Sequence, residues 1–198
     1  MTKLQRIVVV LGVVVLGGCA TASTKGKIAL EDGRYEEAAR RFEEAVAAHP
    51  DRVEPLIGLG IARYKLGALD PAIDALGHAV TRAPGSQAAQ LYLALAYLVK
   101  GDDARAQQHL ATYLGLNPEP AVARQASRAL ELLRTERPSQ PMRIFVAAAL
   151  DNAVELTQEV WRARQEARTY YPYGPPFVFG VVGVGSCVAT RPGAAFCY

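Results

Sequence analysis

Residues that carry chemistry are scarce in this chain of 198: it has three cysteines, three histidines, two methionines and one tryptophan. His49, His78 and His109 stand apart, none beside a second His or a Cys at metal-ligand spacing, so no metal site is expected. Ser186 lies between Gly185 and Cys187, which is not a nucleophile elbow. Gly180-x-x-Gly-x-Gly opens no helical pattern, so a dinucleotide loop is not expected, and no phosphate loop is present. Glu36-Glu37 and Glu43-Glu44 stand opposite Arg40-Arg41 at the spacing of ion pairs on one helix rather than of an acid/base pair. The chain is therefore read as non-catalytic and without a cofactor. Excess charge of one sign is lacking too. The 22 Lys+Arg against 19 Asp+Glu leave +3, with the arginines scattered, which argues against a nucleic-acid partner. With 51% apolar and 21% charged residues, the chain is globular rather than a disordered polyelectrolyte. Its length allows one domain plus an appendage.

The first residues read as an address. Lys3 and Arg6 are the only charges before Lys25, and Ile7 to Leu16 is apolar or Gly throughout. That is a positive n-region followed by a secretory h-region, too short for a permanent span, which needs about 20 residues. Leu16-Gly17-Gly18-Cys19-Ala20 follows, a small-residue cleavage site ending at a cysteine. It resembles the bacterial lipobox, although Gly17 stands where Ala or Ser is commoner. The resemblance implies cleavage of residues 1–18, diacylglycerol and acyl chains on Cys19, and a protein held in the cell envelope. More than one chain gives stable anchoring. Ala20 in place of an Asp points to the outer membrane, facing the periplasm. Removal of Lys3 and Arg6 with the signal leaves charges almost balanced, so electrostatic steering is not expected.

The middle of the chain repeats. Gly33, Gly67 and Gly101 fall at one spacing, which Ala38, Ala72 and Ala106 share, as do Phe42, Leu76 and Leu110, and Pro50, Pro84 and Pro118. Ala45, Ala79 and Tyr113 form a further column. The period is ~34 residues, that of a helix–turn–helix repeat. Each Gly accepts the left-handed conformation that ends a first helix. Asp70-Pro71 and Asp102-Asp103 then offer start signals for the second helix. The Ala column lets two helices approach, the Phe/Leu column fills the space a turn later, and Pro ends the unit. These columns, with Gly60, Tyr64, Leu93, Ala94 and Tyr97, resemble the tetratricopeptide repeat. The resemblance implies an all-α, right-handed solenoid of about three helix pairs over 19–118, in the register 19–52, 53–86 and 87–120. It also implies a concave face that binds peptides or protein segments. Ala123, Ala126, Ala129, Leu130, Leu132 and Leu133 form a stripe expected to cap the array over 119–137.

Leu91 to Val99 has no polar face, so this helix should be buried all round. In the repeat register, Leu91, Leu95, Leu98 and Val99 point into the groove, matched by Ile57, Ile61, Tyr64 and Lys65 of the preceding unit. Exposed, they would form an unusual apolar patch. Two occupants fit: a C-terminal segment of the same chain, or a partner's amphipathic helix or apolar strand.

The last third differs in kind. Within 138–169, residues 142–169 read as one long helix with Val146, Leu150, Ala153, Leu156 or Thr157, and Val160 on one side. Asp151, Glu155, Glu159, Arg162 and Glu166 fall largely on the other. This helix is the candidate for filling the groove; a coiled-coil contact with a second copy or another protein is the alternative. The 170–198 tail starts with Tyr170-Tyr171-Pro172-Tyr173-Gly174-Pro175-Pro176, an extended linker. Phe177-Val178-Phe179 and Val181-Val182 have strand character weakened by glycine. A hairpin about Pro192 sets Cys187 opposite Cys197, and with Cys19 carrying lipid these two would pair in an oxidising compartment. Closing that loop would stabilise the tail by roughly 3 kcal/mol on a chain-entropy model.

The expected protein is thus a membrane-anchored interaction module, an adaptor or assembly factor for an envelope complex. Two alternatives stand beside it: an enzyme or ligand-binding protein with its site in the tail around Tyr171, Tyr173 and Ser186, and a structural lipoprotein that self-associates through 142–169.

Overall fold

The computed structural model describes residues 22–170 and two strands, 187–191 and 194–197. The signal segment, Cys19 and Ala20 lie outside the described residues. So does the linker from Tyr171 onward, with Phe177, Val181 and Ser186. The chain divides into two compact units, residues 1–151 and 152–198.

The first unit is a run of antiparallel helices: α1 (22–31), α2 (Tyr35–Ala48), α3 (Val53–Lys65), α4 (Leu69–Arg82), α5 (Gln87–Lys100), α6 (Asp103–Gly115) and α7 (Pro120–Thr135). α8 (Gln140–Tyr170) starts in this unit. From α2 to α7 each helix packs on its sequence neighbours, and α3 also reaches α5, so the core grows along the array rather than around one centre.

The same turn is built three times. Gly33, Gly67 and Gly101 have φ of 73°, 73° and 91°. Each glycine donates its N–H three residues back, to Leu30, Tyr64 and Leu98. The next residue donates five back, to Ala29, Arg63 and Tyr97. That is the Schellman closure, and it needs a residue that accepts the left-handed region without a Cβ penalty.

Helix starts are less uniform. Asp102 caps α6, accepting from the Arg105 N–H, and Ser86 caps α5, accepting from Ala89. Asp70 does not cap α4. That helix starts at Leu69 directly after the glycine turn, with Ala68 at the cap position. Asp70 falls inside the first turn, where a carboxylate favours the helix dipole, and its side chain pairs with Lys100. Pro141 does not break the chain as a punctuating proline would. It lies in the first turn of α8, where a missing N–H has no helical partner to lose.

Ala38, Ala72 and Ala106 are each fully buried, as are Leu76 and Leu110. The larger side chains of the second helices occupy space that missing side chains leave. The Phe42 ring of α2 sits against Gly26 and Gly58. A Cβ on Gly58 would lie within 2.6 Å of three ring atoms, and one on Gly26 would lie 3.0 Å away. Leu76 stands over Gly60 in the same way; a Cβ there would lie 2.8 Å from Leu76 Cδ2 and nearer still to Cγ. Ala29, Ala39, Leu59, Ala62 and Ala75 complete the cluster round Phe42. α7 closes the array with Val122, Ala126, Ala129, Leu130 and Leu133 buried; Ala123 and Leu132 are only half-buried. Val122 thus takes the inward place that the expected stripe gave to Ala123.

The second unit holds residues 152–170 of α8 and an antiparallel hairpin of β1 (Cys187–Arg191) and β2 (Ala194–Cys197). Its Cα register pairs Cys187 with Cys197, Val188 with Phe196 and Ala189 with Ala195, then shifts so that Arg191 meets Ala194. On the helix, Leu156, Val160 and Trp161 are exposed. Of the expected stripe beyond Leu150, Ala153 and Thr157 are half-buried, while Leu156 and Val160 are not inward. No helix among the described residues is long and apolar enough to cross a membrane.

Two glycines on comparable helices test the close approach. Gly58→Ala should cost about 1–3 kcal/mol through overpacking of Phe42. Gly77→Ala in α4, where a Cβ meets nothing within 4 Å, should gain about 0.5–1 kcal/mol through helix propensity. Urea unfolding of the two variants reads the difference, and equal responses would contradict the packing.

Candidate partner-binding groove

The repeat register aligns four residue pairs: Ile57 with Leu91, Ile61 with Leu95, Tyr64 with Leu98, and Lys65 with Val99. Each pair takes equivalent places on α3 and α5, so the two helices present one face. Leu91, Leu95 and Leu98 are almost wholly buried. Ile57, Ile61, Tyr64, Lys65 and Val99 are half-buried. From Ala89 to Ala96, and at Leu98, every residue of α5 is buried, which answers its lack of a polar face.

The first three turns of α8 lie along this face, held at both ends by polar contacts. At the start, Gln140 Nε2 donates to the Val99 carbonyl at 2.6 Å. Arg143 grips Asp103 with two parallel bonds, Nε to Oδ1 at 2.8 Å and Nη2 to Oδ2 at 2.7 Å, the fork geometry that suits guanidinium and carboxylate. At the far end, Asp151 accepts from Lys65 Nζ at 2.5 Å and from the Tyr92 hydroxyl at 3.0 Å. Val99 and Tyr92 bracket Leu95 and Leu98 on α5, so the segment strung between them passes over those leucines. Its own Ala147 and Leu150 are buried at 1%.

Asp151 is the residue that sequence reasoning misplaced. The helical pattern places it on the solvent side of α8, yet it is 9% exposed and bridges α3 and α5. A buried carboxylate is tolerated only where charge and lone pairs are met. Here Lys65 meets the charge, and the Tyr92 hydroxyl meets the second oxygen. The Tyr92 ring meets Tyr64 edge-on at 5.7 Å, a favoured aromatic arrangement. Burial, with the Asp151 carboxylate nearby, pushes the Tyr64 phenol well above its ordinary range, so it stays protonated. Two signals pointed to Asp151: its place beside Leu150 and one turn from Ala147, and the need of Lys65 in the groove for a counter-charge.

A second polar group sits between α5 and α6. Gln90, 3% exposed, donates to the Pro84 carbonyl at 2.9 Å, and its Oε1 lies 2.8 Å from His109 Nδ1. His109 stacks on Tyr97, whose ring also carries the Arg105 guanidinium. His109 is thus a half-buried structural histidine. His49 and His78 are exposed. Among the described residues no group of three or more His, Cys, Asp or Glu is placed to hold a metal, and no buried side-chain N or O lacks a partner.

Two outcomes are expected. Asp151→Ala leaves Lys65 and Tyr92 facing an emptied site and should cost about 2 kcal/mol; amide exchange of residues 143–151 should rise more than that of α2, and a uniform rise would contradict the bridge. The second outcome concerns pH. Burial first, then the Arg105 charge, lowers the His109 pKa from its ordinary value. The unfolded chain therefore binds the proton more readily. Stability should be complete above about pH 6.5 and fall as the solution is acidified below it. The slope should shrink in His109→Gln, and an unchanged slope would remove His109 as its source.

The fold is shared with proteins of known structure. The translocator chaperone SycD of Yersinia enterocolitica type III secretion, solved with a peptide of the translocator YopD, is 20% identical, with a TM-score of 0.54 over 58% of this chain and 91% of its own. The TPR2B domain of yeast Sti1, solved as a complex with pHsp70, is 19% identical, with a TM-score of 0.55 over 61% and 98%. The TPR domain of Arabidopsis OM64 is 17% identical, with a TM-score of 0.57 over 62% and 98%. No curated protein matches the chain in sequence. The family model for the tetratricopeptide repeat matches residues 23–86 and 58–121, together half of the chain, and the chain belongs to the tetratricopeptide repeat family.

Proposed function

We propose that this protein is a non-catalytic interaction module, tethered to the bacterial envelope through lipid on Cys19, that receives a helical segment of a partner protein in the α3–α5 groove. One observation carries the reading: the groove already holds a helix. Residues 140–151 of α8 run from the Val99 carbonyl to Lys65 and Tyr92 with Ala147 and Leu150 buried, and they place one carboxylate between Lys65 and Tyr92. A partner that competes for this place is an amphipathic helix with an apolar stripe and an acidic residue at its end, the helix-in-groove mode. The peptide-bound state of SycD and the pHsp70 complex of the Sti1 domain support a peptide-receiving role for this fold. The near balance of charge supports a protein rather than a nucleic-acid partner. The n-region, h-region and Cys19 support an outer-membrane lipoprotein facing the periplasm, an adaptor or assembly factor there.

Self-association is a second reading, favoured by Leu156 and Trp161, which are 61% and 62% exposed on α8. A mass in solution above that of one chain, lowered by Trp161→Glu, would support it.

Two experiments test the main reading. Cys19→Ser should leave an unprocessed or soluble chain on envelope fractionation; a processed, membrane-retained variant would contradict the anchor. A photocrosslinker at Leu98 in the full-length protein, activated in intact envelopes, should yield a defined partner adduct alongside the internal one to residues 140–151. Internal adducts alone would mean the groove is permanently filled.

A further inference from the structure

The hairpin fixes a relation between the two cysteines other than Cys19. Cys187 opens β1 and Cys197 closes β2, and the Cα register sets them directly opposite. Opposed residues in an antiparallel pair have Cα atoms about 4.5 or 5.5 Å apart. Disulfides span Cα separations of about 4.4–6.8 Å, so either kind of pair lies inside that window without backbone movement. The ladder has a further need. A two-stranded hairpin alone is marginal in water, and this one has strands of five and four residues with a register shift between Ala189 and Arg191.

We infer that Cys187 and Cys197 form an intramolecular disulfide that staples the open end of this hairpin. The bond forms by thiol–disulfide exchange with an oxidised dithiol or oxidised glutathione. One cysteine thiolate attacks a sulfur of the oxidant and releases one of its thiols. The other cysteine attacks the resulting mixed disulfide and releases the second. Two electrons pass from the cysteine pair to the oxidant, whose disulfide becomes two thiols that take the two protons. The presence of such an oxidant rests on the envelope reading above; the facing of the two cysteines does not.

The full-length protein should be taken from envelopes, acid-quenched, and alkylated before and after reduction. Before reduction, Cys187 and Cys197 should both resist alkylation and appear as one crosslinked peptide. In Cys187→Ser, Cys197 should become alkylatable. The purified full chain should then be exposed to oxidised glutathione. Closure there, together with free thiols in the envelope sample, would support the pairing and overturn the export reading instead. Mixed glutathione adducts without closure, or a dimer linked through these cysteines, would overturn the pairing. Closure should slow amide exchange in residues 188–196 by roughly 100-fold; exchange unmoved by reduction would overturn the staple.

Discussion

Everything in the repeat array depends on how closely the paired helices approach. Phe42 occupies the volume that side chains on Gly26 and Gly58 would take, and Leu76 does the same over Gly60. Ala38, Ala72 and Ala106, each fully buried, keep the second helices equally close. Because interiors are packed at crystal-like density, each missing Cβ is answered by a specific large side chain from an adjacent helix. The three glycine turns, closed by the same pair of backbone bonds, return the chain at the right place for this to recur. The groove follows from that geometry, since α3 and α5 present equivalent residues to one side only if the register holds.

Much of this was legible because its causes are local. A left-handed glycine, a small residue at a crossing and a proline after a helix each announce themselves at their own position. The period then makes their repetition visible. The equivalent places of Ile57 and Ile61 on α3 and of Leu91, Leu95 and Leu98 on α5 follow from the same register. Asp151 did not, because its meaning depends on Lys65, which stands 86 positions earlier in the chain. A hydrophobic stripe on α8 locates its apolar side, but it does not say where the helix stops being covered. That is why the stripe alone does not choose between Leu156 and Thr157, and why it places Val160 inward although it is exposed. Gly58 carries no periodic mark of its own, and the ring that fills its space belongs to Phe42 on the preceding helix.

An apolar groove accepts many apolar helices, and a polar contact inside it selects among them. Leu91, Leu95 and Leu98 provide non-directional attraction. The Lys65–Asp151–Tyr92 bridge and the Arg143–Asp103 fork add direction and register, since a shift of α8 by one residue would strand buried polar groups. Removing water from these contacts raises the cost of leaving any of them unmet. A segment held this way stays in place by a few well-defined contacts, and a competing helix that reproduces them can take its position. Under the proposed function, anchoring by lipid and a stapled tail hairpin would add location and rigidity to a protein that works through this groove.

The most direct test of the account is contact between side chains in solution. Nuclear Overhauser effects measured on the full chain with labelled leucine and alanine methyls should connect Ala147 and Leu150 of α8 with Leu95 and Leu98 of α5. Methyls of Leu95 and Leu98 that show no contact to α8, with Leu150 open to solvent, would contradict a groove filled by the chain's own helix.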